Sequence, residues 1–301
     1  MSAYKKVLLI GAGGDLGVEL LDEFLNSTYE LSVMSRKDSS ATFPAGVRNV
    51  FKVDYADLEA IKSAMKGQDV VISNVGLSGA PHQQIFVDAA LATGVKRFFP
   101  AEYGTDTRDF KTNEINPYST QYKAALVRYL QSKEKESSLT WTALITGGFT
   151  EWGLRHGFFG FDFKTRTATL IDDGTTMCSL SRMRTIAKAI RGCIENFEET
   201  KNQYVFIASF HMTQRDMLAA IEKLDGHKWT VEHTTSQDLQ IRGHTRCIKG
   251  DWMGIADLSM ATALGKWGLV DWRNKDLFNE KLGLPKDSFE DAVNSVMEES
   301  R

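Results

Sequence analysis

The chain has 301 residues, a length that fits one large α/β domain or two unequal domains with a shared interface. It carries 36 basic and 39 acidic residues, a formal net charge of −3, and no basic tract, so we expect neither nucleic acid nor an anionic membrane surface as its main partner. The three cysteines are far apart, no apolar run approaches the roughly 18 residues of a membrane span, and the first strand begins too early for a leader peptide, so a cytoplasmic protein is expected.

A glycine motif follows the first predicted strand, residues 7–10, which is apolar throughout. Gly11, Gly14 and Gly17 are spaced three apart and lead into a predicted helix, residues 18–25, with an apolar stripe. A strand, a glycine turn and a helix in this order direct backbone N–H groups and the helix N-terminus at a pyrophosphate. A glycine-rich turn without a ligand is the alternative. The pattern predicts a dinucleotide site that includes Gly11, Gly13, Gly14, Asp15, Leu16 and Gly17.

The end of the second predicted strand, residues 31–35, is where a dinucleotide-binding protein contacts the adenosine ribose. An acidic residue there would select NAD, but this chain has Ser35, Arg36 and Lys37, with Asp38 one position beyond. A guanidinium beside an ammonium suits the 2′-phosphate of NADP, which is therefore favoured over NAD. The alternative is that the two cations only begin a polar loop.

Four more strands are predicted before residue 147, at residues 47–53, 69–76, 96–100 and 140–145. They alternate with helices, one capped by Asp57 and one from His82 to Thr93. The strand predicted at residues 69–76 ends in Asn74, Val75 and Gly76, which we expect beside the cofactor. Strands alternating with helices predict an α/β protein with a doubly wound parallel sheet.

The composition changes after Gly148, where aromatic residues become frequent. We expect residues 149–301 to form a smaller, interleaved α+β lobe for the substrate, with residues 181–209 returning to the parallel sheet. Tyr103, Phe149 and Trp152 are predicted to line the pocket for a flat apolar substrate, and Glu102 is a candidate to orient it. The elements predicted here are strands at 167–171 and 204–208 and helices at 183–193, 215–224 and 288–299.

The acid–base group is expected on the helix that follows the fifth strand. Short-chain dehydrogenases use a Tyr-x-x-x-Lys pair, but the residue four positions before Lys123 is Ser119, and the neighbouring tyrosines are out of register. The ordinary Tyr–Lys pair is therefore not predicted. The histidines are scattered without ligand spacing, so no metal site is predicted either.

The chain resembles the isoflavone-reductase-like and NmrA-like branch of atypical short-chain dehydrogenases, in its fungal form. The resemblance covers about the first half and rests on the glycine motif, the Arg36-Lys37 pair, residues 97–104 and Lys123-Ala-x-x-Val-Arg128. It implies a Rossmann domain over residues 1–148, NADPH as the cofactor, and Lys123 as the catalytic residue that also touches the nicotinamide ribose. Gly13 and Asp15 depart from the family pattern without excluding binding.

The leading hypothesis is an NADPH-dependent reductase of secondary metabolism. Its substrate would be a small aromatic or conjugated metabolite of isoflavone, phenylpropanoid or quinone type, with Lys123 as proton donor or acceptor. The alternative is an NmrA-like dinucleotide sensor without catalysis, although such members tend to lack this lysine. Monomer and homodimer both stay open, as do the substrate and the bond that is reduced.

Overall fold

The computed structural model describes residues 4–299. In the first half, strands and helices alternate in the order β1 (Lys6–Ile10), α1 (Asp15–Leu25), β2 (Glu30–Arg36), β3 (Val50–Val53), α2 (Leu58–Met65), β4 (Val70–Ser73), a 3-10 helix (Ala80–His82), α3 (Gln83–Thr93), β5 (Arg97–Phe99), α4 (Phe110–Ile115), α5 (Pro117–Lys133) and β6 (Thr140–Ile145). The second half contains β7 (Gly148–Phe149), α6 (Thr150–Arg155), β8 (Phe161–Asp162), β9 (Thr167–Ile171), β10 (Cys178–Ser181), α7 (Met183–Glu195), α8 (Phe197–Thr200), β11 (Gln203–Phe206), β12 (Phe210–Met212), α9 (Gln214–Asp225), β13 (Thr230–Thr234), α10 (Ser236–Ile248), α11 (Gly254–Leu264) and α12 (Phe289–Glu299).

Seven strands form one sheet in the order β11-β6-β5-β4-β1-β2-β3, and every neighbouring pair is parallel. The predicted doubly wound parallel sheet is therefore confirmed, and the strand predicted at 204–208 pairs with β6 as β11. The chain leaves β1 toward β2 and β3 and then returns to β4 on the other side. This reversal opens a crevice at the carboxyl ends of β1 and β4.

Alternate side chains of the strands pack on opposite faces of the sheet. Val7 and Leu9 pack with the side chains of α1 and α7, whereas Leu8 and Ile10 pack with those of α2, α3 and α5. The two faces are thus both covered by helices, as the uninterrupted apolar sequence of β1 requires.

Local signals set several element ends where the sequence predicts them. The Asp57 carboxylate caps α2 by accepting from the backbone N–H of Ala60, and Thr213 and Asp216 form a capping box at α9. The third strand is shorter than predicted and begins at Val50. Val47 lies in a turn, where its backbone N–H donates to the Pro44 carbonyl.

The second half has its own apolar cluster, which includes Phe159, Trp229 and Trp272. It lies against two three-stranded sheets with the orders β12-β10-β7 and β13-β9-β8. The cysteines Cys178, Cys193 and Cys247 are free and buried. Within residues 4–299, no helix has both the length and the apolar character that a membrane crossing needs.

Candidate cofactor and active site

The glycine loop between β1 and α1 is closely packed at two of its glycines. Gly11 has φ +82°, and a Cβ there would fall 2.3 Å from the backbone oxygen of Asn74. A Cβ on Gly17 would fall 2.5 Å from the backbone oxygen of Ala12. Asn74 also donates from Nδ2 to the Gly11 carbonyl over 3.1 Å, so the carboxyl ends of β1 and β4 are held together. These positions exclude any side chain.

Gly14, in contrast, faces open space at the N-terminus of α1. It is the N-cap residue, no side chain caps the helix, and an added Cβ would meet no atom within 4 Å. The N–H groups of the first helical turn therefore have no side-chain acceptor and are available to an anion. Asp15 is exposed at this end, and Leu16 is buried, so Leu16 can offer a ligand only its backbone. The segment fits a pyrophosphate.

A cavity of about 580 Å³, which we call the basic cavity, lies at the carboxyl ends of β2 and β3. Arg36 and Lys37 line it, and the Arg36 Nε lies 3.7 Å from the Asp38 carboxylate. Ser35 is buried, and its hydroxyl has no partner within the described part of the chain. Sequence reasoning missed the remaining residues of this basic cavity, namely Val53, Asp54, Tyr55, Ser78, Gly79 and His82.

A second cavity, of about 440 Å³, lies at the carboxyl ends of β4, β5 and β6. Its lining is mostly apolar, and we call it the apolar cavity. Leu77 reaches it after β4, Tyr103 after β5, and Gly147 and Gly148 after β6. Lys123 and the three side chains predicted to line a substrate pocket, those of Tyr103, Phe149 and Trp152, all border this space. Trp252, Met253 and Ile255 border it from the start of α11 and the loop before it. Trp252 is one of the aromatic residues that are frequent after Gly148, whereas no sequence pattern predicts Met253 or Ile255 at the cavity.

The loop after β4 connects the two cavities. Asn74 and Val75 continue from the strand end, Leu77 lines the apolar cavity, and Ser78 lines the basic cavity. The glycine loop lies beside this segment through the contact of Gly11 with Asn74. The basic cavity, the uncapped N-terminus of α1 and the apolar cavity therefore lie in that order along the carboxyl ends of the strands.

One face of α5 gives the apolar cavity a polar stripe. Ser119, Thr120 and Lys123 of α5 line the cavity together with the N-cap residue Asn116, at spacings of three and four residues. The amide of Asn116 donates from Nδ2 to the hydroxyl of Ser259 on α11 over 2.9 Å. Asn116 and Lys123 are two helical turns apart, about 10 Å along the axis.

Lys123 has a neutral hydrogen-bond partner. Its Nζ donates to the backbone oxygen of Glu102 over 2.6 Å. Burial lowers the pKa of Lys123, and the Glu102 carboxylate opposes this effect. These are the two effects expected for a buried ammonium group with a carboxylate nearby.

The Glu102 side chain is enclosed by protein, at 0% exposure, and does not border the cavity. Its Oε2 accepts from the Thr107 hydroxyl over 2.7 Å, and its Oε1 has no partner among residues 4–299. Burial raises the pKa of this carboxyl to about 7, against the lowering influence of Lys123. A direct substrate contact, which the sequence suggested for Glu102, is not what this geometry provides.

The sequence pattern of the NAD(P)H-binding family matches residues 11–169, more than half of the chain. The chain belongs to this family. It is also 33% identical over 300 residues to the oxidoreductase aprR of Aspergillus flavus. This match covers 97% of this chain and 98% of that protein. A shorter match, 30% identical over 165 residues, covers 51% of this chain and 52% of the isoflavone reductase homolog IRL of Zea mays.

Solved structures share the whole fold. The crystal structure of isoflavone reductase has a TM-score of 0.77 at 19% identity, with 97% of this chain and 99% of that chain covered. The binary complex of leucoanthocyanidin reductase with NADPH from Vitis vinifera has a TM-score of 0.76 at 18% identity, with the same coverage. With the sequence matches, these findings confirm the predicted resemblance to isoflavone-reductase-like proteins: the chain is an NAD(P)H-binding oxidoreductase with the fold of isoflavone reductase.

Proposed function

We propose that the protein is an NADPH-dependent reductase of a small aromatic or conjugated metabolite, in which Lys123 donates or accepts the proton. The observation that carries this proposal is the position of Lys123 in an apolar cavity on the edge of the sheet that also bears the glycine loop. An apolar cavity with a convergent titratable group is the usual form of a small-molecule active site.

The cofactor would extend along the carboxyl edge of the sheet. The basic cavity suits the adenosine end with its 2′-phosphate, because Arg36 and Lys37 line it and Ser35 adjoins it. Gly13 and Gly14 precede α1, and Asp15 is its first residue. This N-terminus of the helix suits the pyrophosphate. Asn74, Val75 and Gly76 lead on to the cavity of Lys123, where the nicotinamide end would lie.

When bound, the reduced nicotinamide supplies a hydride to the substrate. The chain must then manage one proton, and Lys123 Nζ is the titratable atom of the polar stripe. The Glu102 carbonyl fixes Nζ in place, and burial makes the ammonium a stronger acid than a lysine in water. Its position on the cavity wall and its lowered pKa support the proposed role of Lys123 as general acid or base.

The walls of the cavity suit a flat substrate with one polar end. Phe149 and Trp152 supply aromatic surface, and Trp252 stands at the rim with 64% of its surface exposed. Asn116 offers a polar group about 10 Å along α5 from Lys123. In this proposal residues 1–148, with 181–209, hold the cofactor, and residues 149–301 shape the substrate side.

The experiment is NADPH oxidation over a panel of quinones, aryl enones and isoflavone-type compounds, with NADH run in parallel. Turnover of a member of the panel with NADPH is the expected result. The competing candidate is an NmrA-like sensor that binds the dinucleotide without catalysis. Tight NADPH binding without turnover of any compound would favour that sensor and contradict the proposal.

A further inference from the structure

Glu102 contacts Lys123 through its backbone and is enclosed behind it. Its backbone N–H donates to Pro100 over 2.8 Å, and its backbone oxygen accepts from Lys123 Nζ over 2.6 Å. Its carboxyl group is fully buried, and only one of the two oxygens has a hydrogen-bond partner among the described residues. A buried carboxyl without full hydrogen bonding is costly, so it needs a physical reason.

The charged and titratable groups around this carboxyl come from three elements. Lys123 acts on it from α5, Asp106 and Arg108 from the loop before α4, and Tyr204 from β11. Asp106 and Arg108 pair with each other over 2.8 Å, which leaves Lys123 as the strongest favourable charge. In return, Glu102 is the group whose charge acts on the Lys123 ammonium.

We propose that Glu102 is a positioning residue for Lys123: its carbonyl oxygen fixes Nζ, and its buried carboxylate keeps the ammonium charged in the cavity. This inference rests on the proposed role of Lys123. It gives Glu102 a function without contact to substrate or cofactor, which agrees with its absence from the cavity wall.

The sign of the effect follows from the two opposing influences on Lys123. Burial lowers its pKa, and the carboxylate raises it. Glu102→Gln keeps an oxygen that can accept from Thr107 and keeps the backbone carbonyl, but it removes the charge. The pKa of Lys123 should then fall, because the nearby opposite charge that favours the ammonium is gone.

Competitive acetylation measures this directly. The full chain is treated with acetic anhydride across a pH series, and modification of Lys123 is quantified by mass spectrometry. Glu102→Gln is expected to move the labelling midpoint to a lower pH. The matched control Glu114→Gln, an exposed carboxyl on α4 paired with Lys111, is expected to leave it in place. An unchanged midpoint in Glu102→Gln overturns the proposal.

A second variant covers the case in which Glu102→Gln does not fold. By linkage, Lys123→Met should raise the pKa of Glu102, and the infrared band of the protonated buried carboxyl should persist to a higher pH. An identical titration in wild type and Lys123→Met contradicts the coupling. Neither readout requires a substrate. A lack of turnover on the compound panel would therefore count against the proposed function alone.

Discussion

Gly11 and Asn74 lie in direct contact across the neighbouring strands β1 and β4. The Asn74 carbonyl oxygen occupies the place of a Cβ on Gly11, at 2.3 Å, and the Asn74 amide donates back to the Gly11 carbonyl over 3.1 Å. This contact lies at the point at which the strand order reverses. The open end of α1 and the two cavities are all positioned from it.

Gly11→Ala should lower both stability and NADPH affinity. Its φ of +82° and the contact with Asn74 should together cost about 2 kcal/mol or more of unfolding free energy. Gly14→Ala is the matched variant, because its Cβ would meet no protein atom but would stand where the pyrophosphate is expected. It should weaken NADPH binding and lower the Tm far less than Gly11→Ala does, since its stability cost is limited to a poorer N-cap residue. Thermal unfolding and NADPH titration check both variants, and equal Tm losses would contradict this account of the loop.

Arg36→Gln should weaken NADPH binding about tenfold or more and leave NADH binding nearly unchanged. A hydrogen bond to a charged group contributes about 1.5–3 kcal/mol, and only NADPH carries the 2′-phosphate. Arg48→Gln is the control, since Arg48 is exposed, pairs with Glu30 over 3.4 Å and lies outside the basic cavity. Kd values for both dinucleotides provide the measurement. A parallel loss of NADPH and NADH affinity would show that Arg36 does not contact the 2′-phosphate.

Glu102 should make the stability of the fold depend on pH. Burial raises its pKa to about 7 in the folded chain, from an ordinary value of 4.5. The folded state therefore holds this proton more tightly than the unfolded state, and the resulting stabilisation is complete below about pH 4.5 and lost as the pH rises through 7. Glu102→Gln lacks this dependence, so the variant should gain stability relative to wild type between pH 5 and pH 8. Urea unfolding at both pH values measures it, and a constant difference would refute it.

The sequence predicts the parallel sheet because its signals are local. Apolar runs such as that of β1, together with stops such as Gly94 at φ +75°, mark strands and helices within a few residues. The helix α11 escaped prediction because it is buried on nearly all sides and has no amphipathic period. The small sheets escaped as well, since β7 has only two residues and β12 only three.

The residues of the candidate site also fall into two groups: those that a local motif predicts and those that only tertiary packing brings to the site. The glycine loop, Arg36 and Lys123 carry motifs that stand in one stretch of sequence, and each lies at the sheet edge where those motifs suggest. Trp252 and Met253 carry no motif and reach the cavity only because α11 packs against α4 and α10. The burial of the Glu102 carboxyl likewise depends on tertiary packing by Thr107 and its surroundings, which no local pattern records.

The most direct test of the central claim is the turnover of Lys123→Met with a substrate found in the compound panel, measured together with its NADPH affinity. General acid–base catalysis contributes about 10²- to 10⁴-fold, so kcat should fall by at least about 10²-fold. The NADPH Kd should change far less than kcat, because the basic cavity and the glycine loop are untouched and only the expected contact of Lys123 with the nicotinamide ribose is lost. A variant that reduces the substrate at the wild-type rate would contradict the role of Lys123 in proton transfer.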